Sequence, residues 1–435
     1  MKIMNILTSI GRKHLNGHKG LTAEKKVVRY DPDYVYISAT DNKGVELQDI
    51  LPVGSKVKCQ TVLGKRADFG IPVLSSVSGE IVEIKKVFNK SLLRPANYFV
   101  IKNDKKYETE KSEPVTKDLT KEELAKFLQD HGYTGMGGAA FPTFIKYKTD
   151  AKIDHILIND VECEPYLTTD YAATFEEMEN VIYAAEKLAN TMGVKDVVIA
   201  IKKTKAKAIE HINNCLKDHP LIRLVCVKDV YPAGYERTLI KMIFHKEYKA
   251  LPSEVGIIVN NFQTMAWIGS TLRTGVRPTS RIYTFSGEAL KEPQNVLAPS
   301  GTLINEIIDN VCGLKATKYT ILSGGPMMGR PLRQSDIPLA EADSGVTVLP
   351  LAQLEVGKAV PCLRCGICVD HCPMYLQPVL MFQALKRNDY NAANKLGILS
   401  CVECGLCSAV CPSHIELTAK FSASKPIVKI KTIKK

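Results

Sequence analysis

Residues 135–166 read GMGGAAFPTFIKYKTDAKIDHILINDVECEPY. Gly135, Gly137 and Gly138 stand where a backbone must approach a ligand closely, and the run is followed by a helix start and by Lys146. Exposed N–H groups and a helix N-terminus would hold a phosphate there, with Lys146 as the counter-charge. Turns account for most glycine runs, so this one gains its meaning from the residues after it. Residues 155–159 are apolar and β-branched enough for a strand, and the next stretch, Asn159-Asp-Val-Glu-Cys-Glu-Pro-Tyr166, is an acidic loop. Loops at the C-terminal ends of strands in a parallel sheet are where ligands bind.

The pattern continues on the C-terminal side. Residues 175–192 place Met178, Val181, Ile182, Ala185, Leu188 and Met192 on one helical face, and Gly193 ends it. Strands are expected at 197–201, 222–227 and 256–260, with helices at 204–216 and 235–245 between them. Such alternation predicts a parallel sheet covered by helices on both faces. Cys215 and Cys226 fall inside these elements and are expected in the core. A short helix at 120–130 begins with Thr120 as N-cap and Glu122 and Glu123 in its first turn.

On the N-terminal side, residues up to about 110 are β-rich, with strands expected at 27–30, 34–38 and 79–85. The stretches from Leu51 and from Val73 look like half of a flattened lipoyl- or biotinyl-type barrel-sandwich. The tip where such carriers place an acceptor lysine, residues 75–79, holds none, which argues for a structural module and against a carrier scaffold. Residues 282–330 suggest a small β-grasp-like module, and 351–425 read as mostly helical.

That last segment contains two runs of identical spacing, CLRCGICVDHCP at 362–373 and CVECGLCSAVCP at 401–412. Thiolates are the soft ligands of iron–sulfur cubanes, and Cys-x-x-Cys-x-x-Cys-x-x-x-Cys-Pro is the bacterial ferredoxin signature. Zinc sites more often draw Cys-x-x-Cys pairs from two separated places. The reading is therefore two [4Fe–4S] clusters. In such paired runs the fourth cysteine reaches the other cube. One cluster then takes Cys362, Cys365, Cys368 and Cys411, and the other Cys401, Cys404, Cys407 and Cys372. The linker 374–400 puts Leu376, Leu380, Ala384 and Leu385 on one face, pointing to an α-helical ferredoxin module.

Composition sets outer bounds. A chain of 435 residues holds several domains, and 45% hydrophobic with 24% charged residues is that of an ordinary globular protein. Thirteen cysteines, eight of them in two tight runs, argue for metal binding in a reducing compartment and against a disulfide framework. The net charge of +12 comes without basic–aromatic interleaving or a nucleic-acid motif. It describes a solvated surface or attraction to an anionic membrane face, helped by Lys425, Lys429, Lys431, Lys434 and Lys435. No apolar run is long enough to cross a bilayer, and the first residues lack a secretory cleavage pattern.

The glycine and acidic loops together resemble the flavin site of the NADH-binding flavoprotein subunit of respiratory complex I. The chain is more closely similar to the C subunits of Rnf (Rsx) ion-translocating complexes. That resemblance is carried by GMGGAAFPT, ECEPYLT, Tyr231-Pro-Ala-Gly-Tyr-Glu236, Leu251-Pro, Val259-Asn-Asn261, Gly324-Gly-Pro-Met-Met-Gly329 and the double cysteine run. It implies a multidomain α/β chain: a barrel-sandwich β module (1–112), a Rossmann-like parallel α/β domain for FMN and NADH (113–278), an SLBB-like β-grasp module (279–348) and an α-helical dicluster ferredoxin domain with a basic tail (349–435). It also implies that Gly135, Gly137, Gly138 and Lys146 hold the flavin phosphate. Asn159, Glu162 and Glu164 would line the isoalloxazine or nicotinamide, Asn260 and Asn261 would close the pocket, and Glu236 belongs to the Tyr-Pro-x-Gly-x-Glu element.

The expected function is that of a peripheral subunit on the cytoplasmic side of the membrane, part of a ferredoxin:NAD⁺ oxidoreductase. NAD(H), FMN and the clusters would exchange electrons, with membrane Rnf subunits and a ferredoxin-like protein as partners. The family's opening Gly-Gly-x-His-Pro-Pro element survives only as Gly11, His14 and His18, and Lys249-Ala250 replaces the Gly-Gly before Leu251-Pro. These departures motivate an alternative, a soluble relative delivering electrons to an amino-acid reductase such as proline reductase.

Overall fold

In the computed structural model, which describes residues 15–110, 112–354 and 357–433, four strands form a parallel sheet. Their spatial order is Ile222–Val227, Asp196–Lys202, His155–Asp160, Ile257–Asn261. Both faces are covered, which is why the inner strands read as unbroken apolar runs. One face packs against helices Thr169–Met192, Phe262–Thr274 and Lys121–Asp130, and the other against Glu236–Phe244. The two longest of these helices touch at Gly269, where a Cβ would lie 1.8 Å from the Asn180 carbonyl oxygen. The winding reverses between His155–Asp160 and Ile257–Asn261, so a crevice opens beyond their C-terminal ends.

Local chemistry set several of these elements as read. Thr120 caps its helix in a full capping box with Glu123, and Gly193 ends the long helix with φ of 63°. Three expectations are corrected. The long helix begins at Thr169, because residues 169–174 are buried on every side and show no amphipathic period. Phe262–Thr274 is a further helix, hidden in the sequence for the same reason. Cys226 is exposed and Cys215 only half-buried, since Ile222–Val227 is an edge strand and Cys215 closes the short helix Ala206–Cys215.

The N-terminal module pairs Tyr34–Ser38, Arg94–Asn103, Gly79–Asn89 and Lys56–Val57 in an antiparallel sheet, with Val62–Lys65 and Pro72–Leu74 as a second pair. Its core includes Val35, Leu63, Val77, Ile81, Phe99 and Ile101. The lysine-free tip is not a free end: Ser75 to Ser78 are buried, and Ser76 Oγ donates to the Ser300 carbonyl at 2.6 Å. The strand read at 27–30 is Val28–Arg29, and it leaves this module to lie parallel to Gln294–Pro299. It edges a six-stranded mixed sheet completed by Ser280–Ser286, Gly345–Pro350, Tyr319–Ser323 and Arg330–Leu332.

The cysteine-rich segment is helical, with the short helices Pro378–Lys386 and Tyr390–Lys395 and the 17-residue helix Leu417–Ile433 among its elements. Met381, Ala384, Leu385, Phe421 and Val428 form its core, whereas Leu380 is exposed and does not share the buried face expected for it. Gly11, His14, Lys434 and Lys435 lie outside the described residues. Among the described residues, no helix is long and apolar enough to cross a membrane.

Candidate functional site

The glycine loop turns back on itself through Gly135 N–H to the Phe141 carbonyl (2.8 Å), and Met136 N–H donates to Thr264 Oγ1 (3.0 Å). Gly137 and Gly138 are left at the surface. Gly138 has φ of +100° with nothing within 4 Å of a would-be Cβ, and the nearest atom to one on Gly137 is Asn261 Cβ at 3.8 Å. The loop therefore borders the crevice at the sheet's reversal. The helix after it, Thr143–Tyr147, is one turn long, and its first N–H donates to the Tyr133 carbonyl (2.9 Å). A helix N-terminus consequently adds little to anion binding here, and the expectation placed on it is withdrawn.

Lys146 donates to the Val259 carbonyl at 2.6 Å, which leaves two of its three N–H donors. Burial pushes its ammonium down, and the nearby Glu236 charge partly opposes this. Glu236 opens its helix and accepts from the Tyr248 hydroxyl. Asn159 ties the acidic loop to the Tyr231–Glu236 loop, donating to the Gly234 carbonyl (2.8 Å) and accepting from Val161 N–H (3.0 Å). Asn261 caps helix Phe262–Thr274 and donates to Asp170 (3.0 Å). Asn260 is buried, bonded to Tyr147 and Met265 through Nδ2, with Oδ1 unpartnered.

Three carboxylates crowd behind the acidic loop. Burial, then Glu162, raise Asp170 to about 6, and burial with Asp170 pushes Asp160 well up. Glu162 keeps one buried oxygen, Oε2, without a hydrogen bond. Their counter-charge includes a residue that the sequence did not reveal. Lys19 donates to the carbonyls of Glu162 (3.2 Å), Glu164 (2.7 Å) and Leu167, and lies 3.7 Å from Glu162 Oε2. Beside it His18 stacks on Tyr166 at 4.5 Å. Replacing Lys19 with methionine leaves three carbonyls and a carboxylate without their cation. We expect the α/β domain to lose about 3 kcal/mol, read as an earlier denaturant midpoint.

Glu164 points elsewhere. Its Oε1 accepts from the N–H groups of Met327 (2.7 Å) and Met328 (3.0 Å), so the carboxylate holds the Gly324–Gly329 loop of the neighbouring module. Phe141, not singled out in the sequence, presents an exposed ring beside the glycines.

The eight cysteines gather in two sets. Cys372, Cys401, Cys404 and Cys407 line one small cavity, and Cys362, Cys365, Cys368 and Cys411 line another. The runs repeat at an offset of 39 residues, Cys362 onto Cys401 and Cys372 onto Cys411. The backbone repeats with them: φ is positive at Arg364, Gly366 and Tyr375, and again at Glu403, Gly405 and His414. These turns aim N–H groups at sulfur, as from Arg364 to Cys362 (3.4 Å), Glu403 to Cys401 (3.4 Å) and Leu376 to Cys372 (3.3 Å).

Burial, then the neighbouring thiols, push Cys404 up to about 12 and Cys407 up to about 11. Four such thiols cannot all ionise unless a cationic centre compensates them, and a sulfur donor set of this kind fits an iron–sulfur core. The open glycine cradle, the buried Lys146 ammonium and the unpartnered Asn260 Oδ1 fit a flavin phosphate and ring in the same sense.

A ligand-cradling α/β domain in contact with a module of two cysteine tetrads defines an electron-transfer protein of the flavin and iron–sulfur class. Family models match along the chain: the RnfC barrel sandwich hybrid domain at residues 8–106, the Nuo51 FMN-binding domain at 128–270, the SLBB domain at 282–331 and the 4Fe-4S dicluster domain at 358–416. The chain belongs to the RnfC family, the C subunits of ion-translocating oxidoreductase complexes. It is 32% identical over 394 residues to the C subunit of the proton-translocating ferredoxin:NAD(+) oxidoreductase complex of Clostridium ljungdahlii, covering 88% of this chain and 86% of that one. The Na(+)-translocating counterpart of Acetobacterium woodii is 30% identical, with 82% of each chain covered. The C subunit of the ion-translocating oxidoreductase complex of Rhodobacter capsulatus is 31% identical, covering 89% and 77%.

Proposed function

We propose that the chain is the peripheral electron-transfer subunit of an Rnf-type membrane complex, linking NAD(H), FMN and two [4Fe–4S] clusters to ferredoxin oxidation and ion translocation. The observation that carries this reading is a gradient of burial across the two tetrads. Cys404 and Cys372 are buried, and Cys404 packs in one cluster with Tyr231, Cys163 and Met327 against the flavin domain. Cys362 and Cys365 are exposed, next to the exposed Leu363 and Val360. An inner centre beside the flavin domain and an outer one at the surface suit a relay toward a ferredoxin-like partner.

When bound, FMN supplies the exchange between two-electron and one-electron chemistry, and the clusters carry single electrons. The chain's own residues bind and orient. Gly135, Gly137, Gly138 and Lys146 hold the flavin phosphate, Asn260 and Asn261 close the crevice, and Asn159, Glu162 and Glu236 shape the nicotinamide side. Glu164 serves the same site from behind, by fixing the loop at Met327. In the assembled complex the subunit lies on the cytoplasmic face, against the membrane subunits.

Anaerobic purification with iron, sulfide and flavin analysis, followed by NADH titration watched by absorbance, tests this. Bleaching of flavin and cluster bands by NADH is the expected result. Clusters without flavin and without an NADH response would overturn it.

A further inference from the structure

The Tyr231–Glu236 loop contains a residue that the flavin site does not use. Tyr231 is 2% exposed, and its hydroxyl donates to the backbone carbonyl of Cys404 at 2.6 Å. The contact sits where three loops of two other modules meet the cysteine segment. Glu164 lies beside the same hydroxyl while gripping the N–H groups of Met327 and Met328. The Met327 carbonyl in turn lies 2.5 Å from where a Cβ on Gly405 would stand. Gly405 is thus needed twice, for its φ of +81° and for this close approach.

The repeat within the cysteine segment provides an internal comparison. The matching turn of the other tetrad, Cys365–Gly366, has the same backbone form, with φ of +79° at Gly366. Nothing lies within 4 Å of a Cβ built there. One turn is therefore clamped against the flavin domain and its twin is open. A hydrogen-bond donor on the carbonyl of a ligating cysteine places positive charge close to the metal centre. It also fixes how far that turn can move on reduction. Hydrogen bonding and solvent exposure are among the factors that set cluster potentials.

We propose that Tyr231 is a positioning residue for the cluster on Cys372, Cys401, Cys404 and Cys407, locking the Cys404–Gly405 turn to the flavin domain and raising that cluster's reduction potential. This rests on the reading that the tetrad holds a [4Fe–4S] cluster. No bond to the phenol is made or broken.

The test is Tyr231→Phe, which removes the hydroxyl and keeps the ring in its packing. The full chain is purified anaerobically and reduced stepwise with dithionite, and both clusters are followed by electron paramagnetic resonance. The same titration in a Cys362→Ala background, which leaves the inner cluster alone, assigns the signals. Tyr231→Phe is expected to retain its iron and sulfide and to lower the inner midpoint by about 59 mV, tenfold for one electron, while the outer midpoint stays put. Unchanged midpoints, a shift of the outer cluster, equal shifts of both, or loss of iron from the Phe variant would each overturn the proposal. A wild-type chain that takes up no cluster overturns the underlying reading instead, and the proposal with it.

Discussion

Cys372→Ala and Cys404→Ala are each expected to leave half of the protein's iron and sulfide, and the double variant the same half. Cys372 belongs to the first run of the sequence, yet its thiol lines the cavity of the second, with Cys401, Cys404 and Cys407. The thiols of Cys404 and Cys407 are both raised in part by the proximity of Cys372 and Cys401. If each run instead held its own cluster, the two substitutions would strike different centres, and the double variant would lose all its iron. Iron and acid-labile sulfide per chain distinguish the two outcomes without any activity assay. The reciprocal pair, Cys411→Ala and Cys365→Ala, is expected to behave in the same way.

The second large effect is expected at Gly234. A Cβ there would lie 2.0 Å from the Val161 carbonyl oxygen and 3.2 Å from Cys163 Sγ. Its own carbonyl accepts from Asn159 Nδ2 at 2.8 Å, so the acidic loop and the Tyr231–Glu236 loop meet at this residue. The backbone there is not left-handed, and the effect of Gly234→Ala comes from contact alone. Overpacking of this kind costs about 1–3 kcal/mol. Because the loops that separate are those bordering the flavin crevice, FMN affinity should fall about tenfold or more, read by fluorescence titration. Iron content should be unchanged, since the cysteine segment keeps its own core. Equal FMN affinity in the variant and the parent would place the flavin elsewhere.

How much of this was legible in the sequence depended on the range of the interactions. The cysteine spacing was legible because ligand geometry is local and strict, and so was the Thr120–Glu123 cap. The parallel sheet followed from alternation, and its reversal point lies where the glycine and acidic loops suggested a ligand. Periodicity failed where burial is complete. The first turns of Thr169–Met192 and all of Phe262–Thr274 carry polar residues such as Asp170, Gln263 and Thr264 inside, each satisfied by a specific partner.

Lys19 escaped notice because its partners lie more than 140 residues away and all but the Glu162 carboxylate are backbone carbonyls, which any sequence provides. Glu164 was legible as important, but its direction was not. Nothing in ECEPY says that the second glutamate reaches the Met327 loop.

The repeat of the two cysteine runs has a wider consequence. With the same spacing and the same sequence of left-handed turns, the two cysteine tetrads are copies of one part. Any difference in role between the two tetrads is then a matter of address, not of manufacture. The inner copy is distinguished by neighbours that belong to other modules, Tyr231 and Met327 among them. Such an arrangement lets a duplicated segment acquire two roles without altering a single ligand. On the proposed relay, the direction of traffic along the pair would be open to retuning from outside the segment that carries it.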